Sequence, residues 1–401
     1  MAAQSLSRDA ARHTVTFVLS TTLTTGAGTE QFVLNVVKNA PSDKFRISIL
    51  QTDLQDMTRL DSQYVADILK ATSLYTIKSF RRHLRKLDRT SSYPSLAVKV
   101  LVTYLFNLIY RRLNASALNR VRDSDVIYLI RNDDLPYLKI DSRRTVVLGS
   151  THCSTLTLSS KRKGLRNLRR LFRVWKYRRI DGFHFTSARW QNEAVLHKMY
   201  DFLLPLGTDT KLYHPKENLD DVGERVRFLF VSRLEADKGV TRLLDAWKLT
   251  NLENAELHIA GTGSLAGLVK TAADRERIIY HGVLSNEDLA SLYRSCNVFV
   301  FPTQGEIYGL VVLEALASGL FALVSEDLRG TFDQFESMGM LEYVQNDPKT
   351  ISESMSKIAT DLGQLEGRRG KVFEYIRANH DWQSMSANLY STFNRILDEA
   401  T

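Results

Sequence analysis

At 401 residues, with 44% hydrophobic and 25% charged side chains, the chain is too long for one ordinary core and has the balance of a folded enzyme, which excludes a disordered or fibrous class. Its two cysteines, Cys153 and Cys296, stand in no CxxC or Cys/His cluster, so neither a disulfide framework nor a structural zinc is expected, and a reducing compartment is. The net charge of +9 calls for an anionic partner: a membrane surface, a phosphate-bearing acceptor or nucleic acid. Met1 to Arg12 is polar and lacks the apolar core of a secretory signal, and no apolar run reaches the length that spans a bilayer, so a cytosolic protein is expected.

In chain order, an apolar run at Val15 to Leu19 predicts a strand, followed by a Thr/Gly loop from Ser20 to Thr29 and a helix from Glu30 to Val37. Further strands are predicted at Phe45 to Leu50, Asp125 to Ile130, Thr145 to Leu148 and Phe183 to Phe185. The second half repeats the plan, with strands near Val226 to Val231, Glu256 to Ala260, Ile278 to His281, Val298 to Phe301 and Phe321 to Val324. Alternation of strands with helical patterns predicts two α/β, Rossmann-like domains with parallel sheets, 1–205 and 206–381, facing across a central cleft. The boundary is marked by LPLGTDTKLYHPKENLDD, and the final helix, in 382–401, is expected to pack back on the first domain.

Three segments fall just after predicted strands of the second domain, where ligands bind in such sheets. Ser232 to Gly239 (SRLEADKG) puts Arg233 and Lys238 five residues apart before a helix, an arrangement suited to clamping a diphosphate. It reads equally as a solvated loop salt-bridged through Glu235 and Asp237. In FPTQGEIYGLVVLE, Glu306 lies in a loop and Glu314 eight residues on, inside a helix starting near Gly309. Free amides of Gly309, Leu310 and Val311 would face a phosphate, and each carboxylate can accept from two neighbouring sugar hydroxyls. The alternative is an exposed loop acid and a buried helix acid paired with a core cation. Gly261-Thr262-Gly263-Ser264 is a glycine turn, by itself a weak signal.

The order VSRLEADKG, HIAGTG, HGVLSNEDLASLYRSCNVFVFPT and GEIYGLVVLEALASG resembles the donor-binding lobe of retaining GT-B glycosyltransferases of family four, the group 1 glycosyltransferases. In the first domain TTGAGTEQFVLNV and STHC resemble the family's glycine loop and its active-site histidine segment. The resemblance implies transfer of a sugar from a nucleotide-sugar donor to an acceptor hydroxyl with retention of configuration, and without a metal cofactor. By position, Arg233, Lys238 and the amides at Gly309 and Leu310 would hold the donor diphosphate, Glu306 the transferred sugar, Glu314 the ribose, and backbone around Gly282 and Val283 the base. His152 would sit beside the anomeric carbon, and Gly26 and Gly28 would line the loop near phosphate and acceptor. The DxD of the chain, Asp123-Ser124-Asp125, precedes a predicted strand, whereas a metal-diphosphate site would need it after one. Arg329-Gly330-Thr331 departs from the small-residue and proline loop the family commonly carries there.

Between Lys161 and Arg179 ten cations (Lys161, Arg162, Lys163, Arg166, Arg169, Arg170, Arg173, Lys176, Arg178, Arg179) meet no acid, while Leu165, Leu168, Leu171, Phe172 and Trp175 recur at helical spacing. Such a helix suits an anionic membrane, and a lipid-linked or membrane-presented acceptor at the cytoplasmic face is the expectation. Lys78 to Arg89 is also basic, and Leu96 to Ile109 reads as a core-packed or membrane-facing helix. A UDP-sugar 2-epimerase of the same fold is the alternative enzyme. Nucleic-acid binding is not expected, because it leaves the Arg233, Lys238, Glu306 and Glu314 set unexplained and the basic segment lacks the interleaved aromatics of strand-binding surfaces.

Overall fold

The computed structural model describes residues 12–19, 28–53, 72–78, 112, 114–130, 145–150, 177–194, 196–216, 225–273 and 277–400. The chain divides into two compact units, one formed by Met1–Thr186, Trp190–Leu204 and Ser386–Thr401, the other by Ser187–Arg189 and Pro205–Met385. Each contains one parallel sheet. Together they have the expected GT-B fold, two Rossmann-like α/β units.

The first sheet runs β3-β2-β1-β4-β5-β6-β7, with β1 His13–Val18, β2 Phe45–Asp53, β3 Ser73–Lys78, β4 Val126–Leu129, β5 Val146–Ser150, β6 Gly182–Phe185 and β7 Phe202–Leu203. All four residues of β4 and of β6 and all five of β5 are buried, as expected for parallel strands covered on both faces. Asp125, the last acid of the DxD, is spent on structure: its carboxylate accepts from the amide of Thr14 at 2.7 Å and from its hydroxyl at 2.9 Å, fixing the start of β4 beside β1. The C-terminal helix Trp382–Ala400 contributes Tyr390, which packs on Phe45 at 5.0 Å and donates to the carbonyl of Val36 at 3.1 Å.

The centre of this unit holds a buried polar chain. His184 on β6 is fully buried; its Nδ1 lies 2.5 Å from the Tyr128 hydroxyl on β4 and its Nε2 2.6 Å from the carbonyl of Leu204. Burial pushes the imidazole down to about 4, so it is neutral, with Nε2–H donating to Leu204 and Nδ1 accepting from Tyr128. Phe202 stacks on the ring at 4.9 Å.

The second sheet runs β10-β9-β8-β11-β12-β13, with β8 Val226–Val231, β9 Ala255–Ala260, β10 Ile278–Gly282, β11 Val298–Phe301, β12 Phe321–Ser325 and β13 Leu341–Val344. The order reverses between β8 and β11, which pair directly through Val298 with Phe228 and Phe299 with Leu229. The crevice outside the carboxyl ends of these two strands is the topological switch point.

The strands predicted from the sequence are present in both sheets with ends shifted by up to three residues. Three were missed. β3 and β7 are edge strands, β7 of two residues, and β13 is a four-residue edge strand whose pattern, LEYV, carries a charge. Short edge strands leave little periodicity to read.

Candidate functional site

The loops that follow β8 and β11 carry Lys238 and Glu306, and the switch point makes them neighbours. Nζ of Lys238 lies 2.6 Å from Oε2 of Glu306, with a second acid, Asp237, at 3.6 Å. Both partners of the short pair are largely shielded, with 12% of the lysine side chain and 23% of the glutamate exposed. The loops approach closely because of glycine. Gly239 has φ 85°, and a Cβ there would lie 1.9 Å from the carbonyl oxygen of Pro302. The amide of Gln304 and the hydroxyl of Thr303 both donate to the carbonyl of Asp237, at 2.7 and 3.3 Å.

Gly239 also caps the helix Val240–Leu249, and Gly309, at φ 78°, caps Leu310–Ala317. No side chain caps the second helix, and the amides of Gly309, Leu310 and Val311 have no acceptor among the described residues. They carry the partial positive charge of a helix N-terminus. Arg233 is exposed, and its side chain makes no hydrogen bond or ion pair among the described residues. Its sequence neighbour Glu235 is engaged elsewhere: the hydroxyl and amide of Ser264 donate to it at 2.6 and 3.1 Å and hold its carboxyl below the ordinary range. The solvated-loop alternative for this segment is thereby corrected for Glu235, which binds the glycine turn, and kept for Asp237, which lies 3.6 Å from Lys238.

Glu314 sits one and a half turns into its helix, with no cationic partner among the described residues. Tyr293, on Asn286–Ser295, donates to its Oε2 at 3.2 Å, and burial raises the carboxyl to about 7 against that hydrogen bond. Among the described residues this tyrosine stands where the alternative reading expected a core cation.

The glycine turn Gly261–Ser264 is bound on both sides. Leu234 N donates to Thr262 O and Leu265 N to Leu234 O, both at 2.9 Å, while Gly261 N donates to Gly282 O at 2.7 Å. Gly261 and Gly263 are sterically required, because a Cβ would meet Ser232 O at 1.9 Å and Leu234 O at 2.5 Å. Gly282, at φ 67°, faces open space, and the Val283 side chain is 73% exposed. Behind them His258 and His281 stack at 5.2 Å with Nδ1 and Nε2 3.0 Å apart, both lowered chiefly by burial, His258 to about 4.

Sequence reading also missed the supports of the Glu306 loop. Asp327 Oδ2 accepts from the amide of Gly305 at 3.2 Å, and Asn346 Nδ2 donates to Thr303 O at 2.9 Å. No local motif announces either residue, since each acts across more than twenty positions of sequence. The departing Arg329 forms a self-contained turn: it forks onto Glu326 at 2.6 and 2.9 Å, reaches Glu336 at 3.2 Å and lies 4.3 Å over the Tyr343 ring.

Of the first-unit calls, Gly28 is exposed at the start of the helix Gly28–Lys38. His152, Gly26, Cys153, Leu96 to Ile109 and the Lys161 helix up to Lys176 lie outside the described residues.

Residues 225–361 match the family model described as glycosyl transferases group 1. An uncharacterized glycosyltransferase of Methanocaldococcus jannaschii is 28% identical over 172 residues, 41% of this chain and 44% of that one. The GDP-mannose-dependent alpha-(1-6)-phosphatidylinositol dimannoside mannosyltransferase of Mycobacterium tuberculosis is 28% identical over 204 residues, 47% of this chain and 51% of its own. The chain thus spans about half the length of these two relatives. Among solved structures, Anabaena HepE in complex with UDP-glucose superposes with a TM-score of 0.66 at 12% identity, covering 95% of this chain and 99% of its own. The epimerase alternative finds no support in these likenesses.

Proposed function

We propose that this chain is a group 1 glycosyl transferase that moves a sugar from a nucleoside-diphosphate sugar to an acceptor hydroxyl, with retention of configuration. The observation that carries the reading is the 2.6 Å pairing of Lys238 with Glu306 at the switch point of a sheet unit that matches the family model. The named activity of the mannosyltransferase relative and the UDP-glucose held by HepE support a nucleotide-sugar donor.

The chemistry follows from the charges. A departing nucleoside diphosphate gathers negative charge, and groups already fixed around it stabilise that change without reorganising. Lys238 supplies three N–H donors, of which one is directed to Glu306, leaving two for phosphate oxygens. Arg233, unpaired among the described residues, adds a bidentate fork, and the amides of Gly309 and Leu310 add helix-end donors. These groups take the part a divalent metal plays elsewhere, so transfer is expected to proceed with chelator present. Glu306 accepts from sugar hydroxyls, Glu314 from the ribose, and backbone around Gly282 and Val283 meets the base. His152, with Gly26 and Gly28, belongs on the acceptor side, where same-face attack lets the leaving phosphate take the acceptor proton.

The ten cations between Lys161 and Arg179 support an acceptor presented at an anionic, cytoplasmic membrane face. Among the described residues no helix is long and apolar enough to cross a membrane. Thermal-shift screening against nucleotide-sugars tests the donor reading, because a ligand that binds only the folded state raises the melting temperature. A specific shift with one donor, lost with Arg233→Ala, is expected; no shift with any donor sinks the proposal. Co-sedimentation with vesicles containing anionic lipid tests the membrane reading, and equal binding to neutral vesicles refutes it.

A further inference from the structure

Four loops of the second unit converge on Glu306, and Asn346, Ser325, Asp327 and Arg189, which help to hold them, belong to none of the segments assigned to substrate. Asn346, two residues past β13, donates through one nitrogen to two acceptors: Thr303 O at 2.9 Å and Ser325 Oγ at 2.7 Å. Ser325 is completely buried at the end of β12, and the same hydroxyl oxygen accepts from Asp327 N at 3.0 Å, starting the 3₁₀ turn Glu326–Leu328. That turn aims the Asp327 carboxylate at Gly305, whose amide donates to it at 3.2 Å. The guanidinium of Arg189 donates to the Asp327 carbonyl and fixes the turn from its other side. Thr303, fully buried, closes the circuit by donating to Asp237 O, one residue before Lys238.

The loop from Thr303 to Glu306 is thus held at both ends. Asn346 grips its first residue and Asp327 the residue before the glutamate. Gly305 has φ 72° with nothing within 4 Å of a Cβ, so this glycine is free to turn and packing does not restrain it. Polar ties must supply the precision that packing does not. A carboxylate that accepts from two adjacent hydroxyls must be held within a fraction of an ångström.

The geometry points to Asp327 and Asn346 as positioning residues that, through Ser325, hold the Glu306 loop in register with Lys238 and so determine how tightly the sugar portion of the donor is bound. This inference rests on the donor reading above for its ligand, though not for its mechanics. Neither residue touches substrate: Asp327 acts through the peptide before Glu306, and Asn346 through Thr303 and Ser325. Asn346 is well matched to the task, because its amide supplies both donors from one nitrogen and a carboxylate there would face two acceptors. Its Oδ1 is buried without a partner among the described residues, so the side chain's hydrogen bonds are all made on the loop side.

The test uses the full chain, with Asp327→Ala, Asp327→Asn and Asn346→Ala compared with the unaltered protein. Calorimetry measures UDP-glucose against UDP and GDP-mannose against GDP, and amide hydrogen exchange is followed over residues 303–307 without ligand. Asp327→Ala and Asn346→Ala are expected to weaken the nucleotide-sugar by about tenfold while the matching nucleoside diphosphate stays within about twofold, and to speed exchange at these amides by about tenfold. Asp327→Asn, whose amide oxygen still accepts from Gly305, restores both. Asn346→Ser keeps one donor and replaces Asn346→Ala should that variant fail to fold, with an intermediate effect expected. Unchanged exchange in a folded Asp327→Ala, or equal weakening of sugar-bearing and sugar-free nucleotides, overturns the assignment. If the unaltered protein binds none of the four nucleotides, the donor reading falls, while the exchange measurement still decides whether these residues hold the loop.

Discussion

Each unit shields a titratable side chain beside a tyrosine, His184 fully and Glu314 in part, and the two are finished differently. In the first, His184 has both ring nitrogens engaged, by Tyr128 and by the Leu204 carbonyl, with Phe202 stacked on its face. In the second, the Glu314 carboxylate receives one hydrogen bond among the described residues, from Tyr293, and has room for more. A buried polar group whose valences are all met from its own unit serves the fold. One left short is waiting for a partner, and a ribose with two adjacent hydroxyls is the partner proposed here. The contrast teaches that burial alone does not mark a site; the count of satisfied valences does.

The largest expected effect tests the histidine side. His184→Ala leaves the Leu204 carbonyl unpaired, takes from the Tyr128 hydroxyl one of its partners, Ser150 remaining, and opens a cavity, which should cost about 4 kcal/mol in urea unfolding of the first unit. A loss under about 1 kcal/mol would break the comparison. Next, acid should act through the same ring. The imidazole binds its proton near 6.5 when unfolded and near 4 when folded, so its contribution is complete above 6.5 and is lost as pH falls toward 4. That loss is on the order of 3 kcal/mol, and His184→Gln should flatten that part of the stability profile. An unaltered profile would mean that the ring is charged or solvated in the native state.

Glu314 should behave in the opposite sense. Its folded carboxyl is raised to about 7, so the stability it contributes is full below about 4.5 and is lost as pH rises through 7. Glu314→Gln is therefore expected to gain on the unaltered protein by about 1–2 kcal/mol between pH 5 and 8, while nucleotide binding weakens by about tenfold. A variant that gains stability and keeps full affinity would place Glu314 with His184 as a structural group. The smallest effect belongs to Tyr293→Phe, which removes the one hydrogen bond to the carboxylate. It should raise the Glu314 titration midpoint and weaken nucleotide binding by about threefold, and a lowered midpoint would contradict the hydrogen-bond assignment.

Much of this was legible in the sequence because it is local. Strands such as Val226–Val231, apolar but for Arg227, and Val298–Phe301, apolar throughout, stand out as runs, and their ends locate the loops with Lys238 and Glu306 without further information. Gly239 and Gly309 announce their helices by position. What was not legible depends on partners distant in sequence. Glu235 meets Ser264 after 29 residues, Tyr293 meets Glu314 after 21 and Thr303 meets Asn346 after 43. Only the order of strands in the sheet brings them together. Arg329 was noticed as a departure, but its role as a closed fork on Glu326 and Glu336 follows from a turn whose geometry no spacing specifies.

One feature of the second unit bears on how its specificity can be altered. Along the carboxyl edge of the sheet every turn is fastened to its spatial neighbour: Gly282 to Gly261, Thr262 to Leu234, Asp237 to Gln304, and Gly305 to Asp327. The first three joints are backbone to backbone, so replacing a non-glycine side chain in those turns leaves them standing, whereas a change of turn length breaks two at once. Grafting a single turn from another transferase into this rim is therefore a poor route to a new donor. Transplants of adjacent turns taken as pairs, or point changes at exposed Val283, leave the fastenings whole.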